Sequence, residues 1–126
     1  MGYRDYQFDV LKGKSIISIE WSEQKIVFNM KDMSVCFNAF GDCCSSSYIE
    51  SLDNPEVFKD AIFNSAESIE GEQKELTDYN VHKWTFYKFK TSKGSCTLSF
   101  RNESNGYYDG YLELIEEKIC PRNFQS

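Results

Sequence analysis

A chain of 126 residues, 40% hydrophobic and 16% aromatic, holds enough apolar mass for one packed core and is short for two domains. Its net charge of −6, with 20 acidic against 14 basic residues, argues against general attraction to duplex nucleic acid or an anionic membrane. No apolar run reaches transmembrane length and the opening MGYRDYQFDV lacks a signal-peptide pattern, so a single cytoplasmic domain over 1–126 is expected.

The first two predicted strands, KSIISIEW (14–21) and QKIVFNM (24–30), are rich in β-branched residues and joined by a turn at Ser22 and Glu23. Lys31 and Asp32 make a second turn, and SVCFNAF (34–40) alternates as a third strand. A short helical insertion is expected next, capped by Asp42 or Ser45 and running through Leu52. Asn54-Pro55-Glu56 reads as a fresh helix start with proline at the first helical position. FNSAESIE (63–70) is a weakly alternating strand, and the polar, acidic GEQKELTDYN (71–80) reads as an exposed loop. HKWTFYKFKT (82–91), the loop SKG, SCTLSFRN (95–102), the turn ESNG and YYDGYLELIEE (107–117) read as a three-stranded antiparallel meander. The expected class is α+β, mainly antiparallel sheet of about seven strands, with the helical insertion after the third.

Enzyme and metal chemistry have little to work with. Five cysteines form no C-x-x-C pair, and His82 is the only histidine, so no zinc ligand set is recognisable. The cysteines read as reduced and mostly buried. His82 reads as a solvent-exposed strand end. The acids follow no informative spacing, and no phosphate-binding glycine loop is present. No catalytic residue, metal or cofactor is expected.

Three features do carry binding chemistry. Lys83, Lys88, Lys90, Lys93 and Arg101 lie between His82 and Asn102 with no acid among them. Strand alternation puts Lys88 and Lys90 on one face with Trp84 and Phe86, and Thr97, Ser99 and Arg101 on one face of the next strand. Such lysines guard an exposed sheet against edge pairing, or they bind a small anion. In SFRNESNGYYDGY (99–111), Asn105-Gly106 is a strong turn signal and Gly110 marks a bulge or a close approach. Arg101 offers a planar fork for phosphate, Asn102 and Asn105 offer amides for a base edge, and the tyrosines offer stacking rings. That stretch is a hairpin with packing tyrosines or a nucleotide-like pocket. In GDCCSSSY (41–48), small residues entering a helix cap that helix or cradle an anion.

Taken together, GDCCSSSYIE and TSKGSCTLSFRNESNGYYDGYL resemble the Thoeris anti-defence sponges, short phage-encoded proteins with a Cys-Cys segment and a late Asn-x-x-Asn-Gly-Tyr-Tyr hairpin. The resemblance implies sequestration of glycocyclic ADP-ribose, and of cyclic oligonucleotides in some members, without degradation. It also implies a homo-oligomer, dimer or hexamer, with ligand sites where protomers meet. On this chain it points to Asn102, Asn105 and Tyr107, preceded by Arg101, with Arg122 as the basic residue near the C-terminus. Trp84 or Phe86 would stack on adenine, Arg101, Arg122 and Lys88 would neutralise phosphate, and Asn102 and Asn105 would bond polar edges. Asp109 stands where the family pattern commonly has glycine. The alternatives are a protein-binding inhibitor of a host defence factor and an enzyme that cleaves the same signal.

Overall fold

The computed structural model describes residues 5–41, 45–77, 80–104 and 110–119. Among these residues nine strands form two antiparallel sheets. The first sheet contains β1 (Ser15–Ile16), β5 (Ser46–Asp53), β6 (Ala61–Thr77), β7 (Asn80–Thr91) and β8 (Gly94–Ser104), in the order β1-β6-β7-β8-β5. The second runs β2-β3-β4-β9, from β2 (Ser18–Trp21), β3 (Lys25–Asn29), β4 (Met33–Gly41) and β9 (Gly110–Ile119). The only helical elements among the described residues are a 3₁₀ helix at Asp5–Leu11 and a 3₁₀ turn at Pro55–Phe58.

Strand alternation builds the core. Along β8, Cys96, Leu98, Phe100, Asn102 and Ser104 point inward, while Thr97, Ser99, Arg101 and Glu103 point outward. Ile26 and Phe28 of β3 and Val35 and Phe37 of β4 face them from the second sheet. Phe28 ties the layers together: its ring centroid lies 5.9 Å from Phe63 and 5.8 Å from Phe89, both in the first sheet. Phe8, on the N-terminal 3₁₀ helix, stacks on Phe37 at 4.5 Å and meets Phe89 edge-on at 5.4 Å. Burying each such ring is worth about 1.5–3 kcal/mol, so this aromatic cluster is the main source of cohesion.

The same 3₁₀ helix closes a sheet edge. The side-chain amide of Gln7 donates from Nε2 to the Leu112 carbonyl at 2.8 Å, and its Oε1 accepts from the Leu114 N–H at 2.7 Å. The Tyr87 hydroxyl accepts from the Leu112 N–H at 3.0 Å. The outer edge of β9 is thereby bonded by side chains where it would otherwise offer backbone groups to another strand.

Several expectations change. The fold is largely β, with nine strands among the described residues against about seven expected. Residues 46–52, expected within the helical insertion, belong to β5, because pairing with β8 supplies their backbone bonds and buries Ile49. The proline start at 54–56 yields only the four-residue 3₁₀ turn. The polar run expected as a loop continues β6 through Thr77, paired with β7. The meander is only a β7–β8 hairpin: β9 leaves β8 and pairs with β4 in the other sheet. No helix among the described residues is long and apolar enough to cross a membrane.

Candidate functional site

The face of the first sheet turned away from the second carries a connected cluster of aromatic and charged side chains. Cross-strand register sets it: Trp84 of β7 and Tyr48 of β5 both lie opposite Arg101 of β8, and His82 lies opposite Glu103. Glu50, two residues beyond Tyr48, falls on the same face and is the extra residue of a bulge between Ile49 and Ser51. The Arg101 guanidinium stands 4.8 Å from the Trp84 ring centroid, within cation–π range. Its Nη1 donates to Glu50 Oε2 at 2.9 Å, and Nη2 donates to Nδ1 of His82. Its Nε lies 3.4 Å from Glu103 Oε2, an ion-pair contact without an aligned hydrogen bond.

The carboxylates extend the network. Glu50 Oε1 accepts from Trp84 Nε1 at 3.0 Å, so one carboxylate holds both members of the stack. Tyr48 donates its phenol proton to Glu103 Oε2 at 2.7 Å. Burial, and then the Glu103 hydrogen bond and charge, push the Tyr48 phenol up to about 12. Burial pulls the Arg101 guanidinium down, but the Glu50 hydrogen bond and the surrounding charges outweigh it, and its pKa ends above the ordinary value. The other ring nitrogen of His82, Nε2, lies 3.8 Å from Glu103 Oε1.

Phe86 lies one row further along this face, opposite Ser99 and Ile69, and its ring covers Gly71. A Cβ on Gly71 would stand 2.4 Å from the Phe86 ring, so only glycine leaves the ring that position. Lys88 follows, exposed, between Glu67 and Thr97. The structure therefore brings Arg101, Trp84, Phe86 and Lys88 to one surface. Asn102 does not join them. It points to the opposite face, is 3% exposed, and accepts from Ser47 Oγ at 2.7 Å. Gly41 and Gly110 lie opposite one another beside this pair, and the bare Gly110 backbone admits Ser47. Asn105, Tyr107 and Arg122 lie outside the described residues.

A model of a domain of unknown function, DUF7448, matches residues 9–113. The chain belongs to the DUF7448 family. No curated protein and no solved structure matches it. The part of the chain matched by DUF7448 contains the whole cluster from Tyr48 to Glu103, but neither Gln7 nor Arg122.

Sequence reasoning missed four members of this DUF7448 cluster: Tyr48, Glu50, His82 and Glu103. His82, expected at a solvent-exposed strand end, is 7% exposed because Trp84, Arg101 and Glu103 enclose it. The available signal was its alternation with Trp84 and Phe86 on one strand face. Glu50 gave no such signal, because its alternation with Tyr48 lies in a strand read as helix. Chemically the cluster offers two aromatic faces and two carboxylate acceptors around a guanidinium. Among the described residues no group of His, Cys, Asp and Glu side chains has the arrangement of a metal site.

Proposed function

We propose that this DUF7448 chain is a non-enzymatic binding protein that captures a small nucleotide signal and holds it intact. The ligand class is glycocyclic ADP-ribose or a cyclic oligonucleotide, and the role is that of a phage anti-defence sponge in the host cytosol. One observation carries the reading: Trp84, Phe86 and Lys88 share one sheet face beside the Arg101 stack. Rings on an open sheet face offer stacking platforms to a nucleobase, and lysines along the same strand attract phosphate. The motif resemblance described above supports the same ligand class. It also implies a homo-oligomer in which a second protomer covers the face, removing water and strengthening charge-assisted bonds.

Retention rather than cleavage fits the state of the polar groups. Tyr48 keeps its proton, pushed up to about 12, and donates it to Glu103, so it is a poor nucleophile. The test is calorimetry with glycocyclic ADP-ribose and a cyclic trinucleotide, followed by heat denaturation of the complex. Binding heat with one of them and release of unaltered ligand are expected. No heat with either at high protein concentration, or a new product after denaturation, overturns the proposal.

A further inference from the structure

Arg101 resembles a phosphate ligand in the sequence, yet two carboxylates already lie against its charge. Nη1 is bonded to Glu50, Nη2 to His82, and Nε lies against Glu103. Glu50 Oε2 lies 2.9 Å from Nη1 and Glu103 Oε2 lies 3.4 Å from Nε, so two carboxylates flank one guanidinium. The patch therefore sets two acidic side chains against one basic one. Those carboxylates repel phosphate oxygens and accept hydrogen bonds from hydroxyls and amines. The guanidinium also makes a stacking contact with Trp84.

We propose that this patch takes the nucleoside end of the ligand, a planar base with its sugar hydroxyls, and rejects phosphate. The base stacks on the Trp84–Arg101 pair, and the hydroxyls or the exocyclic amine donate to Glu50 and Glu103. Glu50 is the positioning residue, because its two oxygens fix the indole and the guanidinium in one stack. Phosphates lie toward Lys88 and Lys90, further along β7, where both lysines are exposed.

This inference rests on the nucleotide-binding reading, and competition calorimetry separates the two. With glycocyclic ADP-ribose bound, adenosine is expected to displace it, and inorganic pyrophosphate is expected to compete more weakly and only through Lys88 and Lys90. Glu50→Gln and Glu103→Gln each weaken adenosine by about tenfold, the value of one charge-assisted hydrogen bond, and leave pyrophosphate competition unchanged. A purely structural role for the two acids would weaken all ligands alike, so that outcome overturns the inference. Displacement by pyrophosphate but not by adenosine, or tighter ligand binding in either glutamine variant, also overturns it while leaving the sponge reading intact. Absence of binding heat with every nucleotide removes both.

Discussion

Gly110 is the position where one added methyl should cost most. A Cβ there would lie 1.9 Å from Ser47 Oγ, 2.7 Å from Ser47 Cβ and 3.0 Å from Asn102 Oδ1. Ordinary carbon contacts begin near ~3.5 Å, so Ser47 Oγ must move by more than about 1 Å. Rotating the serine clears its oxygen but breaks the 2.7 Å bond to buried Asn102, and its Cβ still clashes. β5 must then shift against β9. Overpacking of this kind costs about 1–3 kcal/mol, and a buried amide losing a partner costs a similar amount. Gly110→Ala is therefore expected to lose about 2–5 kcal/mol. At a slope of about 2 kcal/mol per M urea, the unfolding midpoint falls by about 1–2.5 M. Ser47→Ala in that background removes the closest atom and recovers part of the loss. Ser47→Gly removes both clashing atoms and recovers more, less about 1 kcal/mol for glycine in a strand. Gly110→Ala within about 0.5 kcal/mol of the parent, or no recovery by Ser47→Gly, refutes the close-approach account.

Gln7→Ala should destabilise by about 2–4 kcal/mol in the same urea experiment, because the Leu112 carbonyl and the Leu114 N–H both lose partners. Gln7→Glu keeps the acceptor for Leu114 but turns a second acceptor toward the Leu112 carbonyl, so it should fail to restore stability. Alkaline pH should weaken the fold. Burial, then the Asp53 and Glu56 charges, push the Cys96 thiol up to about 12, and Tyr48 reaches a similar value. The folded state holds both protons that the unfolded chain releases near 9 and 10, so stability falls as pH rises from 9 to 12. Urea midpoints across that range should show the decline, and Tyr48→Phe should flatten its portion above pH 10.

Where a strand has one buried face and a tight turn, its sequence declares it. The β7–β8 hairpin was legible because Trp84, Phe86 and the serine-glycine turn mark both the alternation and the reversal. β6 beyond Glu70 was not, since Gly71, Gln73, Lys74 and Glu75 are all exposed and leave no apolar side to read. β5 was hidden for another reason: serines that cap helices also sit comfortably opposite β8, and only the tertiary pairing decides between them. Asn105-Gly106 promised a hairpin, yet the strands before and after it belong to different sheets. The candidate site followed the same division. Trp84, Phe86, Lys88 and Arg101 came together as alternation required, whereas Asn102 turned inward by the same rule applied one residue later.

The pairing of β4 with β9 joins residues near positions 40 and 110, and Gln7 reaches across more than a hundred residues to finish the same edge. A ribosome releases the chain from the N-terminus, so β2, β3 and β4 emerge as an incomplete sheet with one long side open. That side stays open until β9 follows, while the β7–β8 hairpin can form from neighbouring residues on its own. During this interval the nascent chain exposes strand edge and aromatic surface together, the combination that promotes mispairing. Synthesis of the final strand is thus the event that commits the molecule to its fold, and stalling before it leaves a species suited to chaperone capture.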